Sequence, residues 1–450
     1  MRFVFFPDRL HGHTHDCDRL TSFFPFSSVS GIFLLPLCPN LHAIVNMRKR
    51  YLLLMIALMP LIVVAQDITA TLPVPAQKSG SLFRMASDSA KGKPVLLQPF
   101  YWVKTLIDSS AVATVDRSYI EQPKLPWSVE LRTEFSQSSQ KTTSGWSYEG
   151  VQYGTVTTRT DNGFSTSVGL WVGYRGYGFG LSKELTRGDG SSLSFGAMGG
   201  SFGINLRINS YRSRQPLLES EDFISPEESA SATGDLDDPI HVRSLFIDGY
   251  YMLNGKHFSY AAAYDQSLIQ RKSAGSVALG LMYYHSRVSY EQDSNWPVLF
   301  LMNGVGKLKF TQANVGVGYA YNWVPARGWL VSAQVMPMVA FFNQVHTYYY
   351  DIVDKDGYSA LPKIREQMED PDWNGEIVED EGGWRVVDYA DEKTNGSVRL
   401  NFDGRMSVSY NWSRWYLRVY GHYNRFTYKN GDDNGRWTDW KAYASLGFRF

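Results

Sequence analysis

The chain has 450 residues, with 44 Lys and Arg balanced by 44 Asp and Glu, 39 Gly and 15% aromatic residues. Zero formal net charge leaves no electrostatic footprint for nucleic acid, so no nucleic-acid partner is expected. The aromatic content, with only 20% charged residues, excludes a disordered chain. No run of 18 or more apolar residues follows the N-terminal region, which excludes ordinary membrane-spanning helices.

Residues 47–66 read MRKRYLLLMIALMPLIVVAQ. A basic start (Arg48, Lys49, Arg50), a short apolar stretch to Val64 and the small residue Ala65 before Gln66 make a secretion signal. The stretch is too short for a membrane span, and no stop-transfer charges follow. Translation is therefore expected to start at Met47, with 1–46 a misread upstream extension, 47–65 a signal peptide and 66–111 a flexible lead-in. That removes both cysteines, Cys17 and Cys38, and the alternating His11, His13 and His15. Six basic and three acidic residues go with 1–65, leaving 38 against 41 in an exported chain without cysteine.

From Trp127 onward polar and apolar residues alternate with period two, in segments separated by Gly, Asn, Asp and Ser. This is the strand signature, because successive side chains leave opposite faces. At the C-terminus Trp440, Ala442, Ala444, Leu446, Phe448 and Phe450 share one face, and Lys441, Tyr443, Ser445, Gly447 and Arg449 the other. Val398, Leu400, Phe402, Met406, Val408 and Tyr410 likewise oppose Arg399, Asn401, Asp403, Arg405, Ser407 and Ser409. Segments long enough to cross a bilayer at a tilt, with aromatic residues near their ends, favour a membrane barrel over a soluble sandwich. In a dry sandwich core those arginines would each need a partner.

Strands are expected at about 127–136, 164–174, 177–185, 192–211, 241–253, 276–291, 310–322, 328–341, 396–410, 414–426 and 438–450. Barrels of single bacterial chains close with an even number, so one strand is missing or two are merged. Segments 146–158 and 257–266 are the candidates for an extra. The prediction is an all-β fold over 112–450, an antiparallel transmembrane β-barrel of the outer-membrane type with about 12 strands (10–14).

Two acidic insertions are expected as long loops. Residues 215–240 carry eight acids and no base, and 351–395, within an insertion spanning 342–395, fourteen acids and five bases. Strand parity puts 342–395 on the same side as 427–437, the outer side if the last strand ends in the periplasm. No EF-hand spacing occurs, so these acids read as solvated surface rather than a calcium site.

The segments Gly249–Val288 and Val315–Met338, the opening VDRSYIEQPKLPW (Val115–Trp127) and the Gly-Tyr-Arg-Gly stretch Gly173–Gly176 resemble the DUF4421 family of uncharacterised secreted proteins from Bacteroidetes. The resemblance covers roughly 112–450. It implies a Gram-negative origin and residence in the outer membrane, and brings no reaction, ligand or catalytic residue. The alternating C-terminal strand ending in Phe450 looks like the signal read by the barrel-assembly machinery, an implied partner beside outer-membrane lipid.

For chemistry, the mature histidines are His241, His257, His285, His346 and His422, and no G-x-S-x-G elbow surrounds any serine. No H-E-x-x-H and no i, i+2 histidine pair occurs after residue 65, so no metal and no cofactor are expected. The candidate lumen and constriction residues are Arg271, Lys272, Arg399, Asp403, Arg405, Arg418, His422, Lys441 and Arg449. Arg271 and Lys272 fit either an inward-folded plug or a paired periplasmic turn; the others fit a ladder that lines a pore or seals it. Tyr119 and Trp127 are expected to anchor the N-terminal part at the rim. Three functions compete. The first is a narrow pore or transporter for small polar solutes. The second is a non-enzymatic structural or binding barrel showing acidic loops to a surface or periplasmic protein. The third is a lipase or esterase, which needs Ser and His about 3 Å apart at the membrane-facing rim. The pore or transporter leads, because arginine-rich inner faces are otherwise costly to maintain, and the expectation is a non-enzymatic protein of the cell outer membrane.

Overall fold

The computed structural model describes residues 115–450 apart from 149–150, 162, 187–189, 214–216, 226–227, 236–239, 291–303, 370–382 and 431–432. The expected extension (1–46), signal peptide (47–65) and lead-in (66–111) lie outside the described residues.

Chain order begins with β1 (Ile120–Glu121), β2 (Trp127–Tyr148), β3 (Val151–Asp161), β4 (Ser165–Tyr174), β5 (Tyr177–Glu184) and β6 (Ser191–Met198). Next come β7 (Phe202–Ser213), β8 (Leu217–Ser225), β9 (Glu228–Asp235), β10 (Ile240–Met252), helix α1 (Tyr260–Tyr264) and β11 (Ile269–Gln270). The chain continues through β12 (Ala274–Ser289), β13 (Val305–Trp323), β14 (Trp329–Val353) and helix α2 (Leu361–Glu369). It closes with β15 (Arg385–Asn395), β16 (Arg399–Trp412), β17 (Trp415–Asn430) and β18 (Asp433–Arg449).

Twelve strands close an antiparallel barrel: β2, β4, β5, β6, β7, β10, β12, β13, β14, β16, β17 and β18, with β18 pairing back onto β2. Closure leaves no unpaired edge, the condition for a sheet in lipid. The expected strand 192–211 is two, β6 and β7, split at Gly199-Gly200, and that supplies the even number. Neither proposed extra is a barrel strand. Residues 146–158 straddle the hairpin of β2 and β3, and 257–266 contain α1. The period-two pattern failed at 257–266 because Ala-Ala-Ala between two tyrosines has no polar phase to break a helix.

At one end, the turn end, connections are short except for the one from Met252 to Ala274, which folds into the barrel. Tyr174 and Tyr177 are joined by Arg175 and Gly176, both at positive φ (53° and 91°), the geometry of a type I′ hairpin. Gly is needed there: a Cβ on Gly176 would stand 2.0 Å from the Met198 carbonyl oxygen. Trp127 and Phe450 exchange backbone hydrogen bonds of 3.2 and 3.0 Å at this end. The other, loop end carries the two acidic insertions. The acidic insertions are not irregular loops there. Within 215–240 the backbone forms the β8–β9 hairpin, which pairs onto β3. Within 342–395, β14 continues to Val353, α2 follows, and β15 returns along β14.

Outward positions are apolar: Leu279, Leu281, Val315, Val317, Val335, Val339, Met406, Val408, Leu417, Val419 and Leu446 are exposed. Trp127, Trp323, Trp329, Trp412, Trp415 and Phe450 ring the turn end, and Phe164, Phe341, Phe342, Phe402 and Tyr423 lie toward the loop end. Twelve residues separate Trp329 from Phe341, about 30 Å of height for a strand tilted as in such barrels. This matches the hydrocarbon layer. In the extension beyond the belt at the loop end, Asp354 turns the chain after β14. Its Oδ1 accepts the amides of Asp356 and Tyr358, each at 3.0 Å, and Lys363 Nζ stands 3.5 Å from Oδ2. The Tyr358 amide above all holds the Asp354 carboxyl below the usual range.

Candidate functional site

The lumen is the candidate site, and a plug fills its turn end. Between β10 and β12 the chain enters the barrel as α1, whose five residues are all buried. A five-residue helix leaves most of its backbone groups unpaired within itself. Ser259 Oγ accepts the Ala262 amide at 3.0 Å as N-cap. The Tyr260 and Ala261 amides donate to the carbonyls of Gly200 and Gly199 in the β6–β7 turn, at 2.9 and 3.0 Å. The carbonyls at the far end are met by side chains of the wall. Ser407 Oγ donates to Ala263 O at 2.7 Å, Arg418 Nη1 to Tyr264 O, and Arg449 Nη2 to Gln266 O at 2.8 Å. Backbone inside a barrel must be satisfied internally, and two of the arginines flagged from sequence do that. The three alanines keep the helix thin. Gly203 on β7 makes room for it, since a Cβ there would stand 2.0 Å from the Tyr260 ring.

Around the plug, charges are paired between strands of the barrel wall. Arg405 on β16 donates to Asp248 Oδ2 at 2.8 Å and to the Tyr250 and Tyr260 hydroxyls at 2.6 and 3.0 Å, with Asp403 at 3.4 Å. Tyr250 in turn donates to Asp403 at 3.0 Å. Arg418, 0% exposed, bonds Glu130 at 2.7 Å, while Arg132 and Tyr416 bind the same carboxylate at 2.8 and 2.7 Å. His422 lies between Arg207 and Asp439, the latter 3.5 Å away. Lys441 stands 3.7 Å from Glu134 and donates to Asn209 at 3.3 Å. A buried network of this kind holds only if its members find partners.

One side of the lumen toward the loop end is shut by aromatic rings. Tyr284 stacks on Phe426 with centroids 4.8 Å apart, and Phe310 on Trp437 at 3.8 Å. The other side, along β2 and β4–β7, is polar and keeps two small cavities of about 60 and 40 Å³, room for a few waters each. Both are lined by Glu134, Ser192 and Lys441.

Asp403, Arg405, Arg418, His422, Lys441 and Arg449 are thus brought together inside the barrel. Arg399 is half-buried where β16 begins at the loop end, away from them. Arg271 and Lys272 are not in the lumen: both are exposed at the turn end. Arg271 pairs with Glu121 and its amide donates to Tyr119 O at 2.7 Å, beside the short β1–β11 ladder. Lys272 sits over the Tyr119 ring at 4.9 Å. The segment before them folds inward as a plug, and these two cations close its exit turn. Tyr119 also packs against His257, with centroids 4.3 Å apart, at that rim.

Sequence reasoning missed Glu130, Asp248, Tyr250, Tyr260, Tyr264 and Arg207. Glu130 and Asp248 were visible as acids on the inward phase of strands opening at Trp127 and Ile240. Their partners were not, because they come from strands far apart in the chain.

Among curated proteins no relative of the sequence is found. The chain is similar to the crystal structure of the outer-membrane protease OmpT from Escherichia coli, at 9% identity, covering 73% of this chain and 97% of that one, with a TM-score of 0.37. It is similar to the translocator domain of the autotransporter NalP from Neisseria meningitidis, at 10% identity, with 71% and 88% covered and a TM-score of 0.24. The β domain of the Bordetella autotransporter BrkA matches at 11% identity, with 72% and 100% covered and a TM-score of 0.27. Likenesses of this degree carry no argument about what this barrel does. A family model matches residues 114–450, and the chain belongs to that family, described as a domain of unknown function, DUF4421.

Proposed function

We propose that this protein resides in the outer membrane as a non-conducting, non-enzymatic barrel that presents its loop-end strands to a surface partner. The observation that carries the reading is the plug. Its backbone is hydrogen-bonded to the β6–β7 turn at one end and to Ser407, Arg418 and Arg449 at the other. A lumen crossed by the Arg405–Asp248 pair, with Arg418–Glu130 bridging β17 to β2 over β18, is built as a scaffold. The apolar belt and its aromatic rims support outer-membrane lipid as the surroundings. The exposed Phe450 at the end of the closing strand supports delivery by the barrel-assembly machinery.

The two neighbouring cavities along β2 and β4–β7, which share Glu134, Ser192 and Lys441 as lining, favour a second reading, a narrow path for small polar solutes that opens when α1 moves. For the enzyme reading, His285 Nδ1 and Thr311 Oγ1 are 2.9 Å apart on the outward face beyond the belt. The hydroxyl is threonine rather than serine, and among the described residues no carboxylate hydrogen-bonds to His285, so the pair lacks the third group that orients a catalytic base.

Single-channel recording in planar bilayers tests the proposal. Silence from protein shown to be inserted is the expected result. Stable conductance steps that change with Arg405→Ala would replace the scaffold reading with the solute path.

A further inference from the structure

Beyond the apolar belt, the outward faces of five strands carry basic side chains in one cross-strand row. Arg243 on β10 stands directly opposite Arg287 on β12, Arg287 opposite Lys309 on β13, Lys309 opposite His346 on β14, and His346 opposite Lys393 on β15. Arg287 is in phase with the lipid-facing Leu279, Leu281 and Tyr283, and Lys309 with Val315 and Val317. Arg243, Arg287 and Lys393 are exposed, and Lys309 and His346 half-buried.

Directly opposed side chains in a sheet lie about 5 Å apart, and like charges so placed destabilise it. Among the described residues no carboxylate pairs with Arg243, Arg287 or Lys309. The acid beside the row is Asp391, which bonds His346 at 2.6 Å. A second feature holds the lysines ready. The ammonium groups of Lys307 and Lys309 sit over the same Tyr348 ring, 3.9 and 4.4 Å from its centre, and donate to the Tyr350 and Tyr348 hydroxyls. Five strands therefore spend stability on a fixed band of positive charge.

Height in the membrane decides what the band meets. Ile247, Tyr283, Ala313 and Phe342 form the cross-strand row at the edge of the belt, and the basic row lies four residues further on along β10, β12, β13 and β14. For tilted strands that is about 10 Å of height. Long basic side chains reach back towards the interface, so their charges fall at headgroup level.

We propose that this row is a binding site for the phosphate groups of an anionic outer-leaflet lipid, whose acyl chains lie on the apolar face of β12–β14 directly below. The row is continuous with that apolar face, which commits the site to a lipid phosphate rather than a free anion. The inference rests on the outer-membrane reading.

The test uses the whole protein in phosphatidylcholine nanodiscs, with insertion scored first by heat-modifiable electrophoretic mobility. A bis-phosphorylated glucosamine lipid (lipid A), the same lipid with both phosphates removed, and inorganic phosphate as competitor are then compared by native mass spectrometry of retained lipid. Lipid A is expected to be retained in preference to its dephosphorylated form. Arg287→Gln with Lys309→Gln should weaken retention at least about tenfold, from the attraction of two cations near an anionic surface. Lys183→Gln, an exposed lysine of β5 outside the row, should leave retention unchanged. Equal retention of both lipids, an unaffected double variant, or displacement by inorganic phosphate overturns the proposal. Failure of the wild-type protein to insert overturns the outer-membrane reading and the lipid site with it, and is separately visible in the mobility assay.

Discussion

Arg405 and Asp248 meet at 2.8 Å across the barrel, from β16 and β10, strands that have no pairing with each other. Both side chains are almost wholly removed from solvent, so the contact ties opposite walls together and holds the Tyr260 hydroxyl of the plug between them. Replacing Arg405 with Ala takes the nearest cation from two buried carboxylates, Asp248 and Asp403, leaving Arg207 at 3.7 Å from the first and the Tyr250 hydroxyl at 3.0 Å from the second. The expected cost is about 3–5 kcal/mol, read as a lower midpoint in urea unfolding from micelles. The double variant Arg405→Met with Asp248→Asn should recover part of that loss. An unchanged midpoint for Arg405→Ala would mean the arginine lines solvent instead of sealing the lumen.

Val408 and Leu446 are 40% and 43% exposed on the outward phase of β16 and β18. An Arg at either site puts charge into the hydrocarbon layer, at about 2–4 kcal/mol near mid-depth. Reduced yield of heat-modifiable protein in the membrane fraction is the expected outcome for both. Normal yield of both would reverse the assigned facing.

Gly203→Ala pushes a methyl group into the Tyr260 ring, where the nearest ring atoms would stand 2.0 and 2.2 Å away. Neither group has slack, because Tyr260 is fully buried against Arg405. The variant should either lower thermal stability or show transient conductance as α1 is displaced. Gly249→Ala, which meets only Ile204 at 3.8 Å, is the matched control and should behave as wild type. Identical behaviour of the two variants would show that the plug is not seated against β7.

The Asp354 turn sets a pH dependence in the loop-end extension. Its folded pKa lies below the ordinary 3.8, mainly through the Tyr358 amide. The stabilisation is therefore complete above 3.8 and is lost as pH falls through the depressed value. Hydrogen exchange of the Asp356 and Tyr358 amides should be protected at pH 5 and give way only below 3.8. Asp354→Asn should remove that acid dependence. Loss of protection already at pH 5 would contradict the assigned turn.

How much was legible in advance follows from the range of each interaction. Alternation is a local property, so the facing of Val408 against Arg405, or of Leu446 against Lys441, could be read from neighbouring residues. The merged segment 192–211 was misread because Gly199 and Gly200 interrupt a pattern that otherwise stays in phase. Residues 257–266 were misread because α1 owes its existence to the barrel: a five-residue helix has too few internal hydrogen bonds to form alone. Carbonyls of the β6–β7 turn and side chains on β16 and β18 complete it.

By itself the sequence determined an antiparallel barrel with an apolar exterior, because period-two hydrophobicity, length and turn residues act over a few positions. Only the tertiary structure decided that the inward arginines clamp a plug, that Arg271 and Lys272 stand outside the lumen, and that five basic residues fall in one row. Those facts depend on strand register and on contacts between residues as far apart as Glu130 and Arg418. Chain order carries no record of which distant charges will share a wall.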